Sequence, residues 1–365
     1  MSDELSSDEI RQVLRDVFAD QSGLVEVRGA RDGHDSRTAL AVAGFDRGRW
    51  ATLAEQVGLA ALAAPEEWGG LGLGLGALTA AVEECAATLY PGPVTASLLV
   101  GLGVRGIAPE SVAAPIAAAV EGMLGGDVVA GVGAGAGRLV DGLFTGTVLR
   151  VTHGQVADLV LAEVELGEGS ALILLAVPDG TARRPVEAID LTTPRADLAV
   201  TDAPVLILSE GSAQAYGTAT RLLLAAEQVG GIEGCLAQMV GYAKVREQFG
   251  ALIGTYQAIQ HRCAETAIDA AASRALVVAG AEAFDRGEAA SAHRYALLAQ
   301  AEAGSRFVSA SDGLIQVSGG IGFTWEHDAH LFFRRARTSA PRGGSPEVLR
   351  HRAVEAGCLD LLAPA

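Results

Sequence analysis

Val245-Arg246-Glu247-Gln248-Phe249-Gly250, with Ile253-Gly254-Thr255-Tyr256-Gln257-Ala258-Ile259-Gln260-His261 close behind it, interrupts an otherwise continuous helical periodicity. Upstream, the apolar spacing predicts one long helix over about 212–247; downstream it predicts a second over 256–286. A third long helix is predicted over 289–317. It runs into Gln316-Val317-Ser318-Gly319-Gly320-Ile321-Gly322-Phe323-Thr324-Trp325-Glu326-His327-Asp328, where Gly319 reads as a C-cap. Shorter helices are predicted at 327–339 and 346–361, the last opened by Ser345-Pro346-Glu347, a cap followed by an N1 proline. Short connections between long helices imply antiparallel neighbours, so residues 211–365 are expected to form a helical bundle domain.

The period changes twice before this bundle. Residues 1–122 read as an N-terminal helical domain. Ser7-Asp8-Glu9 supplies a cap and an acidic first turn ahead of Ile10, Val13, Leu14 and Phe18. Trp50, Leu53, Val57 and Leu59 continue the pattern, and Pro65-Glu66-Glu67-Trp68-Gly69-Gly70-Leu71-Gly72-Leu73 forms a turn. Over 123–210 the chain shortens its period to that of strands: Val128–Val132, Thr147–Val151, Leu159–Ala162 and Ala171–Val177, parted by Gly, Asp and Glu. The fold class is therefore mainly α with a small β-domain in the middle.

Composition narrows the function. The chain has 365 residues, enough for several domains with an unstapled core, and half are hydrophobic with only 5% aromatic, which suits closely packed helices. A net charge of −17 argues against nucleic acid and anionic membrane as partners; a polyanionic ligand needs a local basic lining. Cys85, Cys235, Cys263 and Cys358 match no disulfide or metal spacing and predict buried thiols in a reducing, cytoplasmic setting. The acidic N-terminus lacks the layout of a signal peptide, and the apolar stretch from Ser111 to Gly137 is broken by Pro115, Glu121 and Asp127, so no membrane span is expected. Gly131-Val132-Gly133-Ala134-Gly135-Ala136-Gly137 is followed by a strand-like Leu139-Val140 rather than a helix, so it does not read as a phosphate loop. His327 and His330 beside Glu326 and Asp328 read as a polar helix start, not a metal site.

The 245–261 and 316–328 segments, in this order and at this separation, resemble the two signatures of the C-terminal domain of acyl-CoA dehydrogenases. The Pro65–Leu73 turn resembles a third feature, from that family's N-terminal domain. The resemblance implies a helical, β, helical architecture with a reduced middle β-domain and a C-terminal four-helix bundle. It also implies FAD as cofactor, an acyl-CoA thioester as substrate and α,β-desaturation as the reaction. In the family the first signature reaches across a subunit boundary to a neighbour's FAD, at positions matching Arg246, Gln248, Phe249 and Gln257. A guanidinium and amides can donate to phosphate oxygens, and a ring can pack flat. Gln316, Gly319 and Gly320 imply similar contacts, since glycines admit close backbone approach.

The pattern then breaks. The reaction needs a carboxylate base near the substrate α-carbon. The two positions that carry it in the family fall on Gly343 and Thr220, counting without gaps, and neither is an acid. Glu227 and Glu347 stand as substitute bases; otherwise they are a helix-face acid and a first-turn acid. In the β-domain the flavin-facing Trp-Ile-Thr segment has become Arg150-Val151-Thr152-His153-Gly154, keeping only Thr152. The half of the flavin site built from this chain looks eroded, while the half offered to a neighbour is intact. The chain thus resembles the small, non-catalytic subunit of heterotetrameric acyl-CoA dehydrogenases of the steroid side-chain type. The expected partners are a catalytic dehydrogenase subunit and an electron-transfer acceptor protein. A self-sufficient homotetramer with a displaced base and an inert scaffold or acyl-CoA-binding protein remain alternatives. Arg334, Arg335, Arg337 and Arg342 form a basic run facing either CoA or FAD phosphates or a subunit interface.

Overall fold

The computed structural model describes residues 6–20, 22–32, 44–167, 169–208 and 210–362. The helices before the sheet are α1 (Ser7–Asp20), α2 (Gly23–Asp32), α3 (Arg47–Gln56), α4 (Leu75–Ala87), α5 (Val94–Gly103) and α6 (Ala114–Leu124). Six strands follow: β1 (Ala130–Val140), β2 (Leu143–Thr152), β3 (Leu159–Leu166), β4 (Gly169–Ala176), β5 (Ala182–Val186) and β6 (Arg195–Ile207). The rest is α7 (Glu210–Ala243), a hairpin of β7 (Glu247–Gln248) and β8 (Ala251–Leu252), α8 (Gln257–Asp285), α9 (Ala289–Ser318), α10 (Ala329–Ser339) and α11 (Pro346–Glu355). Two compact units result, one of Val25–Gly74 and Pro91–Gly217, the other of Ser6–Leu24, Leu75–Tyr90 and Thr218–Ala365.

In the first unit the strand order is β2-β1-β3-β4-β6-β5, and β2 pairs back onto β6, so five strands close on themselves and β5 adds to β6. β1 and β3 are parallel and the other pairs antiparallel. Closure gathers alternate residues of four strands into one core: Phe144 and Val148 of β2, Val160, Ala162 and Val164 of β3, Ile173 and Leu175 of β4, Leu198 and Val200 of β6. The four segments predicted as strands fall in β1 to β4; β5 and β6 lie outside them. The glycine tract continues β1 rather than ending it. A Cβ at Gly135 would sit 2.1 Å from Thr147 O, so the small residues let β1 lie tightly on β2. Elsewhere in this unit Asp46 caps α3 by accepting the Arg49 N–H at 3.0 Å, and α3 buries Trp50 and Leu53. The Pro65–Leu73 turn is pinned by Trp68, whose indole N–H donates to Ile107 O at 2.7 Å.

The second unit is a helical bundle. α7, α8 and α9 match the predicted 212–247, 256–286 and 289–317 closely, and α10 and α11 match the shorter pair, the last ending at Glu355 rather than 361. Its core includes Leu222, Val229, Ile232 and Met239 of α7, Phe307 and Leu314 of α9, and Phe332 of α10. Glycines in mid-helix each cost about 1 kcal/mol of helix propensity, yet α7 carries several. A Cβ at Gly230 would lie 2.2 Å from Glu83 O, and one at Gly231 would lie 2.3 Å from the Phe307 ring. Close packing against α4 and α9 is what these positions serve.

α1 opens one residue earlier than the predicted Ser7 cap. Ser6 is the cap, with its Oγ accepting the Glu9 N–H at 3.2 Å and Glu9 Oε2 accepting the Ser6 N–H at 2.8 Å, a reciprocal capping box. All four cysteines are free thiols; Cys263 is half-exposed, unlike the buried Cys85, Cys235 and Cys358. No described helix is long and apolar enough to cross a membrane.

Candidate functional site

The interruption after α7 is a tight hairpin. Glu247 pairs with Leu252 and Gln248 with Ala251, leaving Phe249-Gly250 as a two-residue turn with φ of +53° and +80°. Positive φ at both turn residues matches the twist of a hairpin, but asparagine or glycine normally takes the first position. A phenylalanine there is strained by about 1–2 kcal/mol, and its ring is 96% exposed. Phe249 is thus a strained residue that presents a bare ring at the surface. Tyr256 braces it by donating its hydroxyl to Gln248 O at 2.9 Å. Arg246, Gln248 and Gln257 are exposed, as is Val245 at 73%.

The second motif lies at the same end of the bundle. α8 and α9 are antiparallel neighbours, and a Cβ at Gly313 would lie 3.1 Å from Arg262 Cδ, which sets the first turns of α8 beside the last turns of α9. Gln316 is exposed. Gly319 (φ +67°) caps α9 as predicted, its N–H donating to Gln316 O and Ile315 O. A Cβ at either Gly319 or Gly320 would meet nothing within 4 Å, so the backbone is open to approach. Phe323 and Trp325 beyond them are 79% and 51% exposed. Guanidinium, amides, open glycine backbone and bare rings together form a donor set that fits the phosphates and flat rings of FAD.

The β-unit is different. Arg150 sits on a β-bulge at φ +52°, where β2 shifts register against β6 between Val148 and Val151. Asp197 accepts the Arg150 N–H at 2.9 Å and pairs with Arg184 at 2.6 Å; first the amide and then the guanidinium hold its carboxyl below the usual range. The Thr152 hydroxyl is buried and accepts the Val132 N–H at 3.0 Å. The His153 ring, 3% exposed, donates from Nε2 to Pro91 O at 2.8 Å. The one matching residue in this segment thus bonds the barrel's own backbone.

At the two positions expected to carry a base, Gly343 has φ +72° and Thr220 buries a hydroxyl with no hydrogen-bond partner among the described residues. Where a side chain on Gly343 would begin, Arg221 Nη1 lies 3.4 Å away and Gln300 Nε2 3.7 Å. Glu227 is buried and pairs with Arg335 at 3.0 Å. Glu347 is exposed in the first turn of α11, where a bond from Ser345, the α11 N-cap, keeps its carboxyl below the usual range.

The arginine run does not act as one cluster. Arg335 takes Glu227, Arg337 takes Asp312 at 3.1 Å, and Arg334 stacks 5.0 Å over Trp325, while the Arg342 carbonyl accepts from Gln300. A helix presents successive residues about 100° apart, and that disperses them. His327 Nδ1 accepts the Ala329 N–H at 3.1 Å, at the polar helix start predicted for it. Two features escaped the sequence reading. Glu83 of α4, 4% exposed, bonds Arg11 of α1 and Arg274 of α8. Arg221 of α7 bonds Gln300 of α9. Residues so far apart in the chain carry no local signal.

Known proteins agree with this architecture. The acyl-CoA dehydrogenase N-terminal domain model matches residues 9–110 and the C-terminal domain model residues 212–357. The acyl-CoA dehydrogenase IpdE2 of Mycobacterium tuberculosis is 35% identical over 343 residues, 93% of this chain and 94% of that protein. Acyl-CoA dehydrogenase FadE34 of the same organism is 37% identical over 80% of this chain, which spans only 40% of that longer protein. Among solved structures, the Tcur3481-Tcur3483 steroid ACAD superposes with a TM-score of 0.81 at 23% identity, covering 98% of this chain and 99% of that one. The ChsE4-ChsE5 complex of M. tuberculosis gives 0.77 at 23% identity, covering 98% of each.

Proposed function

Because the chain belongs to the acyl-CoA dehydrogenase family, we propose that it works as the subunit completing the FAD site of a catalytic partner, without a general base of its own. Family members use FAD and oxidise the α,β CH–CH bond of an acyl-CoA thioester. The bound flavin supplies hydride acceptance. This chain's share is positional: Arg246, Gln248 and Gln257 donate hydrogen bonds to the partner's cofactor, Phe249 packs on it, and Gln316, Gly319 and Gly320 offer backbone and amide contacts.

The observation that carries the reading is the contrast between the two halves. The hairpin presents a strained, 96% exposed phenylalanine outward, whereas Thr152 bonds the barrel's own backbone and Gly343, one of the two positions expected to carry a base, has no side chain and lies beside the Arg221 guanidinium. Glu227 is held by Arg335, and Glu347 is kept acidic in a helix first turn, so neither substitute suits a proton acceptor. The outward face of α8, with Ile268 66% and Val278 40% exposed, supports burial against another chain. The domain arrangement proposed is helical over 1–122, β over 123–210 and bundle over 211–365. A bulky, steroid-derived acyl-CoA is the proposed substrate class, in a heterotetramer that passes electrons to an acceptor flavoprotein. Similar proteins include a steroid ACAD and a two-chain complex.

Arg246→Ala and Gln248→Ala in the complex with a catalytic dehydrogenase chain test this. Both residues are exposed, so the complex should assemble normally yet retain less flavin and turn over more slowly, with the deficit rescued by added FAD. Full flavin content and turnover in both variants would refute the role.

A further inference from the structure

We propose that Arg221, with Arg352 and the Gly343-Gly344 turn, forms an oxyanion site that takes a carboxylate or phosphate group of a small molecule. The site lies wholly in the bundle unit and does not depend on the FAD-completing role. Arg221 is half-buried on α7, and among the described residues its one hydrogen bond goes to a neutral group, Gln300 Oε1, at 2.6 Å. Gln300 is itself 1% exposed and fixed by donating to Arg342 O, so the guanidinium is held in one orientation from behind.

No described carboxylate lies within ion-pair distance of Arg221 or Arg352. This is unexpected in a protein with 44 acidic side chains and 27 basic ones. Buried charges in proteins are ordinarily paired, because the desolvation of a bare guanidinium goes uncompensated otherwise. Burial and then the charge of Arg352 pull the Arg221 guanidinium below its usual range, with no acid acting in the other direction. Burial and then the charge of Arg221 likewise hold the His293 imidazole down.

The turn brings bare backbone, with no side chain, up to the guanidinium. Gly343 has no side chain and φ of +72°, and the point where a Cβ would stand is 3.4 Å from Arg221 Nη1. Arg352 Nη1 holds the turn by donating to Gly343 O at 3.3 Å. With Nη1 partly engaged by Gln300, the remaining edge of the guanidinium keeps two parallel N–H donors, the arrangement that binds a carboxylate or phosphate bidentately. An oxyanion entering over Gly343 would meet Arg221 in front and Arg352 beside it.

The test is thermal unfolding of the purified full chain in sodium glutarate, sodium phosphate or sodium chloride at matched ionic strength. At tenfold over its dissociation constant, a bound oxyanion should raise the wild-type midpoint by roughly 3 °C or more above chloride. In Arg221→Gln that increment should vanish, and the chloride midpoint should be no lower than wild type, because an unpaired charge has been removed. Arg352→Gln, an exposed position on α11, should diminish the increment and reads the site if Arg221→Gln does not fold. A response to glutarate alone assigns a carboxylate ligand, and to phosphate alone a phosphate. No increment over chloride in wild type, or an equal increment in the variants, would overturn the site.

Discussion

Glu227→Gln separates structure from catalysis at the best-placed remaining acid. Glu227 Oε2 pairs with Arg335 Nη2 at 3.0 Å, with both side chains 10% exposed. Removing one member of a buried pair costs about 3–5 kcal/mol, most of it from the charge left behind. Glutamine keeps the volume, so no cavity opens, and its carbonyl still accepts from Arg335; the loss should therefore be nearer about 2–3 kcal/mol. At 2–4 °C per kcal/mol for a unit of this size, the midpoint should fall by roughly 5–10 °C. Adding Arg335→Met should recover much of that, with a coupling of about 1–3 kcal/mol. Unfolding followed by circular dichroism reads the stability, and turnover of the complex at a temperature where both forms are folded reads the chemistry. An unchanged midpoint with abolished turnover would mean that Glu227 is a proton acceptor after all, and the argument from its ion pair would be wrong.

Glu83→Gln should also destabilise the bundle by about 3 kcal/mol or more, since a 4% exposed carboxylate there serves Arg11 and Arg274 together; a midpoint within 1–2 °C of wild type would contradict this. Gly135→Ala should prevent normal folding of the barrel, because its Cβ would lie 2.1 Å from Thr147 O, whereas Gly169→Ala, with nothing within 4 Å, should be nearly neutral; soluble yield and midpoint compare the two. The Asp197 carboxyl has a lowered folded pKa, so the stability it contributes is present above the unfolded value near 4 and is lost as the pH falls through the folded one. Asp197→Asn should therefore flatten the acid limb of a pH-stability curve below about pH 4. Phe249→Ser should leave the midpoint of the isolated chain unchanged or slightly raised, as the ring touches little, while lowering flavin retention in the complex.

Helices read well from sequence because their signals are local. The spacing of apolar residues and the glycines after Ser318 and Phe249 place α8 and α9 within a residue or two. The Ser345-Pro346 start of α11 is equally legible, and its end, expected at 361, is not, because a Gly357 turn cuts the helix short at Glu355. The hairpin at 247–252 escaped because Phe-Gly is not a recognised hairpin turn, the first position normally being taken by asparagine or glycine. β6 carries alternation at Ala196, Leu198 and Val200, but Pro194 and the charges between them masked it. The donor residues of the two motifs were legible as chemistry, and their common location at one end of the bundle was legible only through the antiparallel pairing of α8 and α9. The Arg221–Gln300 bond and the Glu83 hub join residues 79 and 191 positions apart at most. No pattern along the chain encodes such meetings.

The central claim is that this chain completes another chain's flavin site and cannot hold a working one alone. The most direct test is the flavin absorbance of the purified chain by itself, and then after co-purification with a catalytic-type acyl-CoA dehydrogenase from the same source. A colourless chain that becomes part of a yellow complex active on acyl-CoA is the predicted result. A chain that is yellow and turns over acyl-CoA alone would contradict it.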